Sequence, residues 1–122
     1  MNSILISVKK TLGIEPEYAH FDPDITLNIN SALLTLNQLG IGPEGGFIVT
    51  GEAETWTDLL GNRTDLEAAK TLIYLKVRLL FDPPTSSFVL DAIERQIAQI
   101  EWRLSIQVET QQVIEEVVPD EG

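Results

Sequence analysis

The sequence predicts an all-α fold, a small bundle built around a long helical hairpin, and three observations carry that prediction. Two stretches of helical periodicity, at residues 66–80 and 88–104, flank the hinge Phe81-Asp82-Pro83-Pro84-Thr85-Ser86-Ser87. Proline lacks an amide donor and restricts the residue before it, so the first helix must end before Pro83. A side-chain oxygen of Thr85 or Ser86 can then accept hydrogen bonds from the free amides of a second helix that begins near Phe88.

The two helices of the hairpin differ in how much of their surface is apolar. The second has a single narrow stripe, spaced four, four, three and four residues apart: Val89, Ile93, Ile97, Ile100 and Leu104. At about 100° per residue, the apolar residues of the first helix cover more than half of its circumference. They are Leu66, Ala68, Ala69, Leu72, Ile73, Leu75, Val77, Leu79 and Leu80. Such a helix needs cover on most sides, either from the other helices or from another subunit.

Lys76 lies in the middle of that apolar arc, and two interpretations are open for it. In the first, the helix belongs to the core and the lysine reaches solvent along its own aliphatic stem. In the second, Lys76 lies at a contact between subunits and pairs with a carboxylate of a neighbour, Glu94 or Glu101.

The remaining helices follow from their start and stop signals. Residues 3–12 predict a short helix that Gly13 ends, with lysines near its carbonyl end. A capping carboxylate at Asp22 and a proline at the next position predict the start of a second helix, which ends at Gly40. Its apolar residues alternate four and three apart, as a seam packed on another helix requires: Ile25, Ile29, Ala32, Leu36 and Leu39.

Residues 40–54 are rich in glycine and predict a loop. Within it Phe47, Ile48 and Val49 allow a short strand or one arm of a hairpin as the alternative to irregular structure. Thr55 is placed to cap a helix of one or two turns that Gly61 ends.

The chain is predicted to divide into a helical domain at residues 1–108 and an extended acidic tail at residues 109–122. The tail has five acidic residues and no basic one. Two interpretations stay open: disorder in solution, or ordering against a partner. The second is favoured by apolar residues that an inert tail does not need: Val113, Ile114, Val117 and Val118.

Composition excludes several classes of function. The chain has no cysteine, which excludes disulfides and thiolate metal sites. No apolar run approaches the roughly 20 residues that span a bilayer, and no cationic leader precedes an apolar core at the N-terminus, so neither a membrane protein nor a secretory signal is expected. With 19 acidic and 8 basic residues the formal charge is −11. Such a surface repels phosphate backbones, so a DNA-clamping protein is not expected.

No pattern for catalysis, a metal or a cofactor is present. The single histidine, His20, has no companion at metal-ligand spacing, and Gly42-Pro43-Glu44-Gly45-Gly46 lacks the lysine of a phosphate-binding loop. We therefore expect a protein that is not an enzyme and that takes no cofactor.

The hinge and its flanks resemble a known family. Residues 74–87, from Tyr74 through Phe81-Asp82-Pro83-Pro84, together with Ile100-Glu101-Trp102-Arg103-Leu104, are similar to the signature region of tailed-bacteriophage head–tail connector proteins, also called adaptor or head completion proteins. His20-Phe21-Asp22 and Asn37-Gln38-Leu39-Gly40 fit the same pattern. The resemblance covers about residues 2–105, and the Phe-Asp-Pro-Pro hinge is its most specific element.

The resemblance implies a structural virion protein of the head–tail interface, made in the cytoplasm of the bacterial host. Such subunits form a ring, dodecameric like a portal, beneath the portal after genome packaging. The ring extends the DNA channel, through which DNA passes without sequence-specific binding, and it docks stopper or tail proteins. The alternative function is a small acidic regulator or DNA-mimic inhibitor, which would need acidic residues at phosphate-like spacing on one surface.

Three groups of residues are candidate contacts within that assembly. The first is a subunit interface at Tyr74, Lys76, Arg78, Glu94 and Glu101. The second is a portal-docking tail with Val113, Ile114, Val117 and Val118. The third is a loop that faces the tail or the channel, with Phe47, Ile48 and Val49.

Overall fold

Five helices follow one another in the computed structural model, which describes residues 3–61, 63 and 66–117. They are α1 (Ile4–Thr11), α2 (Asp22–Gln38), α3 (Trp56–Leu60), α4 (Ala68–Phe81) and α5 (Ser87–Val117). Within the described residues the only β pairing is an isolated bridge between Ser3 and Thr55. The all-α class and the helical hairpin are therefore confirmed, and residues 40–54 are irregular, without the alternative strand.

Helix α4 lies at the centre of the bundle. It packs most extensively on α2, then on α5, and also contacts α1. Its inner side chains have no solvent exposure: Ala69, Leu72, Ile73 and Val77. Of the two expected sources of cover, the chain's own helices supply it for the central part of α4. The polar residues Thr71 and Arg78 are exposed, and near the hinge the apolar Leu80 is also 58% exposed.

Helix α5 begins at the predicted hinge. The hydroxyl oxygen of Ser86 accepts a hydrogen bond from the amide of Val89 at 3.4 Å, which satisfies one free amide of the first turn. Ile93, Ile97, Ile100 and Leu104 are buried as the stripe predicts, whereas Val89 is exposed, so the buried stripe begins one turn later.

The chain from residue 109 is helical as far as Val117, rather than extended. Residues 87–117 contain neither proline nor glycine, so nothing in the sequence interrupts the backbone hydrogen bonds. At 1.5 Å per residue, α5 is about 46 Å long. Glu109 and Thr110, which follow the core contact at Val108, are exposed.

The start of α2 differs from the prediction. Phe21 is the N-cap residue and makes no side-chain capping bond, so the role predicted for the Asp22 carboxylate is wrong. That carboxylate instead lies 2.8 Å from the Nζ of Lys9, a fully buried residue of α1. The same Nζ donates to the carbonyl oxygen of Pro16 at 2.9 Å. One lysine therefore joins α1, the linker and the first turn of α2.

Helices α1 and α3 are joined at their ends. The amide of Ile4 donates to the carbonyl of Glu54 at 3.0 Å, and the Trp56 indole donates to the Ser7 hydroxyl at 3.1 Å. Thr55 and Asp58 exchange hydrogen bonds in a capping box, which confirms Thr55 as the cap of α3.

Asn30 of α2 fastens the glycine-rich loop to the bundle. Its Nδ2 donates to the carbonyl of Val49 at 3.0 Å, and its Oδ1 accepts from the amide of Val49 at 2.8 Å. The side-chain amide thus satisfies both backbone groups of a buried residue, as a neighbouring strand would.

Asn30→Ala is expected to lower the free energy of unfolding by about 1–3 kcal/mol, because both backbone groups of Val49 lose their partner. Urea denaturation measures that change, and hydrogen exchange should show faster exchange at the Val49 amide. Asn37→Ala, on an exposed position of the same helix, is the matched control and should change neither. Unchanged exchange at Val49 in Asn30→Ala would refute the fastening role.

Glu54 closes the turn that follows the loop. Its carboxylate accepts hydrogen bonds from the Thr50 hydroxyl at 2.6 Å, the Thr50 amide at 3.0 Å and the Gly51 amide at 3.2 Å. These bonds, that of the Thr50 hydroxyl above all, hold the pKa of Glu54 below its ordinary value of 4.5. They favour the charged carboxylate in the folded protein.

Glu54 should therefore make stability depend on pH on the acid side. A lowered folded-state pKa gives a contribution that is complete above pH 4.5 and is lost as the pH falls through the lowered value. We expect Glu54→Gln to melt below the parent protein at neutral pH, and the difference to shrink as the pH falls below 4.5. Glu52→Gln, an exposed neighbour, should show no such trend. A pH-independent difference for Glu54→Gln would contradict the prediction.

Candidate assembly surfaces

Lys76 and Glu101 form an ion pair within the chain. The Nζ of Lys76 on α4 lies 3.1 Å from Oε2 of Glu101 on α5, and the side chains are 24% and 32% exposed. Lys76 therefore has a carboxylate partner in its own chain and does not require one from a neighbouring subunit. A partly exposed pair of this kind contributes about 0–1 kcal/mol, so it positions α5 on α4 more than it stabilises the fold.

Lys76 and Glu94 line one groove, which opens between α2 and α5 over the surface of α4. Its volume is about 360 Å³, and Leu79, Leu80 and Ile97 give it apolar walls. On the α2 side it is lined by Ser31, Ala32 and Thr35. The structure therefore brings together three of the five residues predicted for a subunit interface, Lys76, Glu94 and Glu101.

The other two residues of that set lie elsewhere on α4. The ring of Tyr74 meets that of Trp56 edge-to-face at 5.8 Å, and Tyr74 lines a cleft beside α1. Arg78 is one turn further along α4, is exposed, and pairs with no carboxylate among the described side chains. The predicted interface set is therefore divided between two sides of the helix.

The outward surface of α2 is uncharged after its first turn, which contains Asp22 and Asp24. No charged residue occurs from position 25 to position 43, although the chain as a whole has a formal charge of −11. Leu27 and Leu34 are 70% and 59% exposed, and Ser31 and Gln38 continue the same row. These four residues, spaced four, three and four apart, are called here the neutral ridge.

Helix α5 has a second stripe, on the side opposite its buried one. Phe88 and Trp102 are 80% and 66% exposed, and Ile106 is exposed further along. With Ala92, Arg95 and Gln99 they form a row spaced four, three, four, three and four apart, every member of which is exposed. These six residues are called the outer stripe. Trp102 therefore lies outside the core of the bundle.

The three loop candidates differ in how accessible they are. Val49 is buried, and Phe47 is partly buried against the core. Ile48 is exposed and lies beside Leu34, with which it lines a shallow depression.

The four tail candidates are described only in part. Residues 113, 114 and 117 belong to the backbone of α5, while their side chains and the whole of Val118 lie outside the described residues. The portal-docking role of Val113, Ile114, Val117 and Val118 stays a prediction.

The described part of the chain offers no evident reaction centre. Within it, no three of its His, Asp and Glu residues are grouped as a metal site requires. His20 is exposed and its ring meets that of Phe21 at 4.9 Å, which makes it part of a small aromatic cluster with Tyr18 and Phe81. In residues 3–61, 63 and 66–117, no helix has the length and apolar character that a bilayer crossing requires.

Comparison with known protein families decides which kind of protein these surfaces belong to. A family described as "Phage connector protein" matches residues 4–111, which is most of the chain. The chain belongs to the phage connector protein family. The match begins at the first residue of α1 and ends within α5, so all five helices take part in it. Comparison with curated proteins found no match, and comparison with solved structures found none either.

Membership of the phage connector family indicates the broad function of the protein. This is a family of structural virion proteins of the head–tail connector, which is consistent with the lack of an evident reaction centre in the described residues. In a connector protein, the exposed rows on α2 and α5 are candidate surfaces for contacts with other subunits. The sequence signal of the outer stripe was present in the spacing of its residues, but sequence reasoning assigned only the buried stripe of the same helix.

Proposed function

We propose that this connector protein is a ring subunit that assembles beneath the portal, extends the DNA channel and docks stopper or tail proteins. The observation that carries the proposal is the family match over residues 4–111. The ring, its dodecameric stoichiometry on the portal and its partners are parts of the proposal.

The uncovered surfaces of the bundle support a subunit that contacts other proteins. The chain itself covers the inner side chains of the central helix, yet α2 and α5 leave rows with large apolar residues open to solvent. Exposed apolar patches on an otherwise soluble domain mark interaction sites. The groove at Lys76, Glu94 and Glu101, with Tyr74 and Arg78 on the far side of α4, is a further candidate contact between ring neighbours.

The charge of the chain suits a channel through which DNA moves. A formal charge of −11 disfavours tight binding to phosphates, so a ring of such subunits would not retain DNA. DNA mimicry is less well supported, because the neutral ridge and the outer stripe have no acidic member.

The test is assembly of the purified protein on the purified portal of the same phage. Negative-stain electron microscopy should show an added ring coaxial with the portal, and the two proteins should co-elute in size-exclusion chromatography. Portal alone and connector alone are the controls. A protein that stays monomeric at high concentration and also fails to bind the portal would refute the proposed function.

A further inference from the structure

We infer that neighbouring copies meet by packing the outer stripe of α5 in one copy on the neutral ridge of α2 in the next. The inference rests on the proposed function, because it names the two surfaces through which the proposed ring would be built. The partner at this contact is a second copy of this chain.

The spacing of the two rows makes them compatible as helix-packing surfaces. Leu27, Ser31, Leu34 and Gln38 repeat at four, three and four residues, and the outer stripe repeats at the same intervals. Rows spaced in this way interdigitate when two helices pack side by side. Ser31 is the smallest member of its row and leaves space beside Leu34 for a large ring, which Phe88 or Trp102 can supply.

Charge favours a second copy as the occupant of the neutral ridge. Two copies of a chain with a formal charge of −11 repel each other, and a close approach requires surfaces that lack acidic groups. The neutral ridge belongs to an uncharged segment at residues 25–43, and the outer stripe has no acidic member. Copies can therefore meet at these two rows without bringing carboxylates face to face.

The outer stripe also carries an uncompensated positive charge. Arg95 within it and Arg103 beside it are exposed, and neither pairs with a carboxylate among the described side chains. In a chain with more than twice as many acidic as basic residues, these arginines are attracted to any other copy. Tryptophan, phenylalanine and arginine are also the residues that enrich interface centres, from which carboxylates are depleted.

Within one copy, the positions of α2 and α5 prevent the neutral ridge from contacting the outer stripe. Both helices pack on α4, and each row lies on the side of its helix opposite to the buried residues. The row on α2 must therefore meet the row on α5 of a different copy. A contact between two unlike surfaces repeats from copy to copy and generates a closed ring or a filament.

The size of the contact implies that it forms best on a template. The shorter row sets its length: from Leu27 to Gln38 the neutral ridge is about 17 Å long, and a helix is about 10 Å wide. That footprint is well below the roughly 800 Å² per partner of a stable interface. An isolated pair of copies should associate weakly, whereas copies aligned on a portal gain from every contact in the ring.

The absence of cysteine from the chain permits a direct test in the assembled protein. Leu34→Cys and Gln99→Cys, both exposed positions, are made as separate variants and assembled together on the portal. A short bismaleimide reagent should then cross-link a Leu34→Cys copy to a Gln99→Cys copy. A variant with both substitutions should give a ladder of higher oligomers. Each single variant assembled alone should give almost none of the cross-linked dimer.

Charge substitutions give a second measurement on the same surfaces. Leu34→Glu and Trp102→Glu should each weaken association between copies about tenfold or more, since a carboxylate would be buried without a partner. Tyr18→Glu makes the same kind of change at an exposed aromatic residue of the linker, outside both rows, and should leave the association unchanged. Circular dichroism of each variant shows whether the helical fold is retained, and only folded variants are compared.

The outcomes separate this inference from the proposed function. Rings on the portal with the mixed cross-link support both. Rings without the mixed cross-link, or with cross-links between two Leu34→Cys copies, overturn the inference and leave the proposed function standing. If no ring forms on the portal under any condition, the proposed function fails, and the inference that depends on it fails too.

Discussion

Lys9→Met is expected to lower the free energy of unfolding by about 2–3 kcal/mol. The substitution keeps the length and the apolar stem of the side chain but removes the charge that Asp22 and the Pro16 carbonyl share. Breaking a buried ion pair leaves the partner uncompensated. The side chain of Asp22 is 23% exposed, so water partly solvates the carboxylate that Lys9→Met leaves unpaired. The loss of stability therefore falls at the lower end of the range for broken buried ion pairs. Urea denaturation followed by circular dichroism measures it.

Two further variants show whether the effect comes from that ion pair. Lys10→Met changes the exposed neighbour on the same helix and should alter stability by no more than about 0.5 kcal/mol. Lys9→Met combined with Asp22→Asn removes both charges, and the double variant should lose less than the sum of the two single losses. If Lys9→Met were as stable as the parent, the lysine would not hold the linker, and the description of this contact would be wrong.

Leu72→Ala should cost about 3 kcal/mol, because Leu72 lies at the centre of α4 with no solvent exposure. The loss combines the transfer energy of the removed methyl groups with that of the cavity they leave. Leu80→Ala is the matched control, since the same substitution at the exposed end of the same helix should cost less than about 1 kcal/mol. Both values come from urea denaturation of the unassembled protein.

The pair of substitutions also tests how α4 is covered. Equal losses at the two positions would mean that the hinge end of α4 is buried in the unassembled protein, contrary to the structure. A small loss at Leu72 would mean that the chain does not enclose its central helix. The difference between the two losses therefore measures how far the bundle is complete without a partner.

Much of the fold could be predicted from local signals. Pro83 and Pro84 end one helix for steric reasons that no tertiary contact can override, and Thr55 and Ser86 cap the helices that follow them. Gly40 has a positive φ of 88° next to the end of α2, a conformation that glycine adopts without strain. Such signals act over three or four residues and do not depend on what lies across the bundle.

The contacts that could not be predicted join residues distant in sequence. A lysine in the last turn of a helix has a sufficient local explanation in the helix dipole, so nothing in the sequence indicates that Lys9 is buried against the linker. The pairing of Asn30 with Val49 spans 19 residues and replaces the predicted alternative of a strand. Only the packing of α5 on α4 shows that Lys76 pairs with Glu101 of its own chain and not with a carboxylate of a neighbouring subunit.

In the candidate surfaces, too, the spacing of residues could be predicted from the sequence, whereas their burial could not. The two stripes of α5 interleave in one stretch of sequence, and periodicity alone cannot tell which of them faces the core. Ile93 and Trp102 are both apolar and both belong to a regular row, yet only the first is buried. Burial is decided by how α5 packs on α4, which is a property of the whole bundle.

The unbroken length of α5 has a mechanical consequence. Its middle turns pack on the core, its first turn follows the double-proline corner, and its backbone continues past Val108 to Val117. Since no proline or glycine interrupts its 31 residues, the helix has no built-in point of bending. The end of α5 beyond Val108 therefore keeps the direction that the packing of its earlier turns on α4 sets for it.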